Sequence, residues 1–413
     1  MFQVPNKANR KPWLLIGIAT VALLGGGMTL ARMHSDAPTA EKRAPKTDPL
    51  LARPPLEVVE NLPQLKERLD HLAQTGQFTG EVLVARGNQV LFRQTYGMAN
   101  YEERRPFALD TRFRLASVSK QFTGAAILKL QDEGKLSVND PVCQWIQPCP
   151  ERWADIRIHH LISHTSGIPD LMAQSHWGMV RVTPHTPEQL LINASQYGLQ
   201  FPAGTKVRYN NVGFNTAAYI VARASGMSFE DYLQKSFFDP LGMTNTGSDT
   251  HANTPGLAMG YGLFPGGLTP QPLANVSVVH GAGALYSTAD DLLAWNLALH
   301  NGHVLSPDSY ADMIRDHSPA DTPKERGRPH RAYGYGIFMN TLGERVSPSF
   351  SEPQIYHTGS WSGFRNLVTY EPTNKITVVV LSNNYHLRDQ VLLISQQGMA
   401  EALGKPFPTA LAR

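Results

Sequence analysis

Cysteine is almost missing from this sequence: Cys143 and Cys149 are the only two in 413 residues. With so few soft ligands a metal site is not expected, and no cofactor is called for. The two cysteines lie close together in a Pro-flanked stretch. A local disulfide and two unpaired thiols in a partly buried loop both stay open. There is no Gly-x-Gly-x-x-Gly and no phosphate loop, which leaves nucleotide chemistry unsupported. A Gly-x-Ser-x-Gly elbow is also absent, which disfavours an α/β-hydrolase. Nor is there a strong excess of one charge. The net charge of +3 is concentrated early, with seven Lys/Arg and two Asp/Glu up to Lys46, so the remainder is near −2. No nucleic-acid surface is indicated. No internal repeat is found.

What is present fits a globular chain, with 42% hydrophobic and 17% charged residues, long enough for one large domain or two interlocked ones. Residues 1–12 carry Lys7, Arg10 and Lys11 ahead of an uncharged run, 13–31, about long enough to cross a bilayer. Basic residues before the run and a large domain after it predict a cytoplasmic tail, a single-pass anchor in the inner membrane and a body outside, in the periplasm. Secretion after cleavage is the alternative, although Thr29-Leu30-Ala31 is a poor cleavage site. Residues 32–57, rich in Ala, Pro, Lys and Asp, read as a flexible linker.

The body is expected over 58–405. Val58, Val59, Leu62, Leu65, Leu69 and Leu72 recur at spacings of three and four, which predicts a helix with one buried face. Gly80 to Ala85 and Gln89 to Tyr96, split by Arg86-Gly87-Asn88, predict a hairpin. Near the other end, Tyr333 to Met339, Gln354 to His357, Phe364 to Tyr370 and Ile376 to Ser382 read as strands, before a helix from about Arg388 to Leu403. Between them the chain reads mostly as helix and loop. Ser287-Thr288-Ala289-Asp290 resembles a capping box opening one of those helices. The expected fold is α+β: an antiparallel sheet flanked by helices and built from N- and C-terminal segments, with an inserted, mostly helical region and a cleft between the two.

Three short motifs carry the chemistry. Ser117-Val118-Ser119-Lys120 is the only Ser-x-x-Lys, and it opens an apolar helix with Phe122, Ala125, Ala126, Ile127 and Leu130. Residues i and i+3 share a helical face, so the Lys120 amine can sit beside the Ser117 hydroxyl. A lysine kept neutral by desolvation could take the serine's proton. Tyr209-Asn210-Asn211 is the only Tyr-x-Asn. A tyrosine near two lysine-like charges could ionise and act as general base, while Asn211 hydrogen-bonds a substrate amide. His357-Thr358-Gly359, followed by Ser360, is a weaker signal, because His-x-Gly recurs at His176 and His300. Its distinguishing feature is an apparent strand, Ile355 to His357, then a Gly-containing turn and another strand. Such an edge can donate backbone N–H groups to an extended substrate and to an oxyanion.

In combination these motifs resemble the serine β-lactamase-related and penicillin-binding hydrolases, which include class C β-lactamases, D-alanyl-D-alanine carboxypeptidases and esterases. Phe113 to Lys120, Leu161 to Ile168 and Gly281 to Thr288 are similar to stretches common in that family, and the resemblance covers about residues 58 to 400. It implies a β-lactamase/transpeptidase-like fold with Ser117 as nucleophile, Lys120 and Tyr209 sharing proton transfer, and Asn211 on the substrate amide. His357, Thr358, Gly359 and Ser360 would form the substrate-binding strand, and the N–H groups of Ser117 and Ser360 the oxyanion hole. One departure stands out: class C lactamases carry Lys where this chain has His357. A histidine there looks more like the carboxypeptidase and esterase branches, and no Glu-x-x-Leu-Asn motif follows Tyr209. The implied partner is a small-molecule or peptide substrate, a D-alanyl peptide first, with an ester or a β-lactam as alternatives. A non-catalytic penicillin-binding or sensing module is the contrasting reading, weakened by the retention of both a nucleophile and a base. The histidines His159, His160 and His164 resemble metal ligands in spacing, but no suitable Glu or Cys accompanies them, and the family places this segment as a structural helix end.

Overall fold

Pro63 starts the first helix, α1 (Pro63–Gln74), because a proline in the first turn lacks only an N–H that the helix could not have used. Leu65, Leu69 and Leu72 are buried along its inner face. The helix therefore begins later than the apolar spacing suggested: Val59 lies outside it and donates its N–H to the Val90 carbonyl at 2.8 Å. The computed structural model describes residues 59, 61–249, 254–271, 274–319 and 332–412. The expected tail, apolar run and linker at 1–57, and Val58, lie outside the described residues. The single-pass localisation requires correction, since among the described residues no helix is long and apolar enough to cross a membrane.

The hairpin forms as β1 (Gly80–Arg86) and β2 (Gln89–Tyr96). The nucleophile candidate precedes α2 (Lys120–Asp132), and the tyrosine motif precedes α3 (Asn211–Ser225). Later come β3 (Ala332–Tyr333), β4 (Phe338–Asn340), β5 (Gln354–Trp361), β6 (Phe364–Glu371), β7 (Ile376–Ser382) and α4 (Arg388–Ala402). These strands make one antiparallel sheet in the order β3-β4-β5-β6-β7-β1-β2. The N-terminal hairpin thus closes one side of a sheet whose remaining strands come from the C-terminal part. This is the expected α+β architecture.

Two sequence expectations shift. The single strand read over Tyr333 to Met339 is broken into β3 and β4, because Gly334 and Gly336 carry the backbone tightly against Met313 and Lys120, where a side chain would not fit. The strand read as ending at His357 runs on to Trp361, so Thr358, Gly359 and Ser360 lie within β5, paired with Leu367, Asn366 and Arg365. The cap at residue 288 also moves by one position: Thr288, rather than Ser287, accepts the Asp291 N–H and opens the helix Ala289–His300.

Every residue of β7 is buried, because helices cover both faces of the sheet. Side chains alternate across a strand, so Val379 and Leu381 join one core with α2 and α3, while Ile376, Val378 and Val380 join the other with α1 and α4. Cys143 and Cys149 form a disulfide in the inserted region, with an S–S distance of 2.04 Å.

Candidate active site

Ser117 stands at the junction of these layers. The residue before it, Ala116, has φ 52°, a left-handed conformation that is costly for a side chain bearing a β-carbon. The turn Ala116–Ser119 then runs directly into α2. Neighbouring segments hold this turn in place. Asn366 donates from its amide to the carbonyls of Arg114 and Leu115, at 2.8 and 3.3 Å. Gly359, its partner across the β5–β6 ladder, lies against the same Leu115 carbonyl. The Thr123 hydroxyl donates to the Gly281 carbonyl at 2.6 Å, and Ser119 Oγ accepts from the Leu285 N–H at 3.2 Å. These two bonds stitch α2 to the segment that contains Ala282.

Lys120 is completely buried. Its Nζ reaches three acceptors: Ser117 Oγ at 3.1 Å, Asn211 Oδ1 at 2.8 Å and the Ala282 carbonyl at 2.9 Å. Burial lowers the ammonium from its ordinary value to about 7, while the Asp170 carboxylate acts against that fall. The geometry discriminates between the two protonation states. An ammonium has a proton for each acceptor, whereas a neutral amine has only two N–H groups, and the two carbonyls can only accept. The lone pair is then left facing Ser117, whose hydroxyl can donate to it.

Tyr209 lies in the loop before α3, with its ring face 4.8 Å from Lys120 Nζ. Although 41% of the residue is exposed to the cleft, its hydroxyl sits at the Ser117 hydroxyl. Burial pushes the phenol above its ordinary value; the Ser117 hydrogen bond works the other way, and Asp170 adds to the rise. The exposure of the residue tempers the size of this shift but not its direction. The sequence reading had Tyr209 ionising between two cations, and the second cation is not there. His357 is buried, with its pKa lowered to about 3 by burial and by Lys120, although its bond to the Thr358 carbonyl raises it. Its Nδ1 lies 2.7 Å from that carbonyl and its Nε2 3.3 Å from the Tyr333 hydroxyl. The imidazole is therefore neutral, and Tyr209 remains a phenol.

The structure brings Ser117, Lys120, Tyr209, Asn211 and His357 together, while Thr358 and Ser360 line the same cavity and Gly359 supports its floor. It also shows participants that sequence reading missed. Asp170 accepts from the Asn211 backbone N–H at 2.8 Å and from its side-chain amide at 2.9 Å. A lone aspartate 41 residues from its partner leaves no local signal. Ala282 contributes only a carbonyl, which no side-chain pattern can reveal. His164, set aside as a weak metal candidate, is buried with φ 62° and accepts the Asn210 N–H at 3.1 Å. Its ring packs against Tyr209 and Tyr333, at centroid distances of 4.3 and 4.5 Å. It buttresses the tyrosine from behind.

The cavity above Ser117 has a volume of about 1220 Å³. Trp177 and Trp361 meet edge to face on its wall at 6.3 Å. Arg181, Lys206, Arg208, Arg365 and Arg388 also line it, and none of the five has an ion-pair partner within 4.0 Å among the described residues.

The sequence model of the family described as Beta-lactamase matches residues 65–395. Penicillin-binding protein 4* of Bacillus subtilis (strain 168) is 28% identical over 359 residues, spanning 83% of this chain and 76% of that protein. A D-aminopeptidase of Gluconobacter oxydans (strain 621H) is 28% identical over 347 residues, 80% of this chain and 62% of the relative. Among solved structures, the octameric penicillin-binding protein homologue from Pyrococcus abyssi superposes with a TM-score of 0.71 at 26% identity, covering 83% of this chain and 77% of that one. The D-amino acid amidase from Ochrobactrum anthropi SV3 shares the fold, with a TM-score of 0.71 at 22% identity over 82% of this chain and 97% of the amidase. Matched over most of its length and built on the same fold, this chain belongs to the β-lactamase family of serine hydrolases, alongside penicillin-binding proteins and D-amino-acid-directed peptidases.

Proposed function

We propose that the protein is a D-alanyl peptidase of the carboxypeptidase type, working through a covalent acyl-enzyme on Ser117. The observation that carries this reading is the Lys120 amine, whose two fixed carbonyl acceptors leave its lone pair on the Ser117 hydroxyl. Neutral Lys120 takes the Ser117 proton as Oγ attacks the substrate carbonyl. The backbone N–H groups of Ser117 and Ser360 receive the oxyanion. Tyr209, a neutral phenol touching Ser117, passes a proton to the leaving amine and recovers it from Lys120. The edge of β5, with Thr358 and Ser360, receives the extended substrate, and water then releases the acyl group.

The preference for a peptide with a free carboxylate rests on the five cations lining the cleft that have no ion-pair partner among the described residues, which favour an anion over a neutral ester. The names of the D-aminopeptidase and D-amino acid amidase relatives add support for a D-configured substrate. A β-lactam as the principal substrate is less well supported, since His357 cannot supply the cation that a lysine would.

The test compares a D-alanyl-D-alanine peptide, its C-terminal amide, a short acyl ester and a chromogenic cephalosporin on the full-length protein and on Ser117→Ala. The free acid should give the highest kcat/KM, and a fluorophosphonate should label Ser117 only in the wild type. Equal turnover by Ser117→Ala would overturn the mechanism, whereas preference for the ester would overturn only the substrate class.

A further inference from the structure

Ser117 and Asn211, which act on Lys120, have an obvious origin in the motifs, but the carboxylate beside them does not. Asp170 lies two residues after Ile168, the last of the Leu161–Ile168 stretch, at the start of the turn Leu171–Ala173. Its Oδ2 accepts from Asn211 twice, from the backbone N–H at 2.8 Å and from the side-chain amide at 2.9 Å, while the same amide lies 3.2 Å from Met172 Sδ, a much weaker acceptor. Its Oδ1 is held by the Met172 N–H at 2.9 Å. A carboxylate can only accept, so the amide nitrogen of Asn211 must face Asp170 and its carbonyl must face Lys120.

We propose that Asp170 is a positioning residue for the acylation step: it locks the Asn211 carboxamide so that the carbonyl occupies one Lys120 proton, and thereby aims the amine's lone pair at Ser117. This inference rests on the reading of Ser117 as nucleophile and Lys120 as base. Without Asp170 the carboxamide is free to turn its NH₂ toward Lys120. A donor would then face the amine, the lone pair would be drawn toward Asn211, and Ser117 would lose its base.

Asp170 also acts through charge. The titratable side chains around Lys120 are His164 after the helix Ile158–Ile162, Tyr209 before α3, Tyr333 on β3, His357 on β5 and Asp170. The two histidines are held neutral and the two tyrosines protonated. Among these groups Asp170 alone is an anion, and it favours the charged form of Lys120. Removing it makes Lys120 easier to deprotonate, so the acidic limb of the rate profile moves to lower pH. Loss of aim slows the step while loss of charge shifts the limb, and a merely structural role would produce no such shift.

The experiment measures fluorophosphonate acylation of the full chain from pH 5 to 9 for wild type, Asp170→Ala, Asp170→Asn and Ser117→Ala. Asp170→Ala should acylate at least about tenfold more slowly at the plateau, with its acidic limb displaced to lower pH. Asp170→Asn, which keeps one acceptor oxygen but no charge, should show the same displacement with a smaller loss of rate. If Asp170→Ala keeps the wild-type plateau rate the lock is not needed and the proposal is wrong, and if both limbs coincide with that of the wild type Asp170 does not act on Lys120 and the proposal is equally wrong. Should Asp170→Ala not fold, as judged by circular dichroism, Asp170→Asn decides on the limb alone. Labelling that persists in Ser117→Ala would instead show that the underlying nucleophile assignment had failed.

Discussion

Gly359 runs so close to Leu115 that a β-carbon on the glycine would sit 2.1 Å from the Leu115 carbonyl oxygen. That contact seats the β5 strand against the turn bearing Ser117, and the Asn366 amide, which donates to the same oxygen at 3.3 Å and would itself lie 3.2 Å from the added carbon, crowds the site further. Gly359→Ala should therefore force the strand and the nucleophile turn apart. The expected outcome is loss of most Ser117 acylation together with destabilisation of about 1–3 kcal/mol, as for other overpacked sites. Parallel denaturation curves and fluorophosphonate labelling would check this. A variant with wild-type labelling would show that the close approach is not needed.

Lys120 sets the pH dependence of acylation. Its ammonium is brought down to about 7 by burial, and only the neutral amine can accept the Ser117 proton. The acylation rate should rise with pH through about 7 and then level off. Lys120→Arg keeps a charge that cannot be lost, so it should slow acylation by about 10²–10⁴-fold across the range. A stopped-flow pH profile of both proteins is the measurement. A flat wild-type profile between pH 5 and 9 would remove Lys120 from the role of base.

Arg114, three residues before Ser117, is buried and paired with Asp249 at 2.7 Å through Nε. Asp249→Ala would leave a buried guanidinium without its counter-charge, at a cost of about 3–5 kcal/mol. Replacing both partners, as Arg114→Met with Asp249→Leu, should recover much of that loss, because no lone charge stays buried. Urea melts of the single and double variants would decide; a single variant within 1 kcal/mol of wild type would contradict the account.

Glu81 is fully buried in β1, and among the described residues neither carboxylate oxygen makes a well-formed hydrogen bond, the Ala289 amide being only loosely engaged. Burial raises its pKa well above the ordinary value and Asp290 adds to this, while Arg93 and the Ala289 amide pull it down by less. A carboxyl raised by the fold binds its proton more tightly in the native chain. Its contribution is complete below the unfolded value of about 4.3 and is lost as pH rises toward the folded value. Glu81→Gln should flatten this decline and stabilise the protein at pH 8 by about 1–2 kcal/mol. Thermal melts from pH 5 to 9 would show it, and an unchanged slope would rule Glu81 out as its source.

The local patterns were legible where one physical period dominates. The short β-branched run of Ile376 to Ser382 and the turn at Gly87-Asn88 marked their strands, because strand propensity and turn chemistry act within a few residues. The strand ends at Tyr333 and His357 were misread for the opposite reason. Gly359 reads as a turn residue and Gly334 and Gly336 read through as strand, and only the approach of Leu115, Met313 and Lys120 shows that each glycine removes a clash. Pairing of Cys143 with Cys149 was left open by spacing and is settled by the fold of the intervening loop.

For the site itself, the sequence alone determined the spacing of Ser117 and Lys120, since three residues on one helix turn bring their side chains together wherever the helix lies. It also placed a histidine where a lysine would supply a second cation. Only the tertiary structure decided what those residues can do. The depth that lowers Lys120, the carbonyl of Ala282, the Asp170 carboxylate behind Asn211 and the neutrality of His357 all arise between segments 40 to 240 residues apart. Protonation and hydrogen-bond direction depend on the solvent and charges around a group, and those are assembled only when the distant segments pack together.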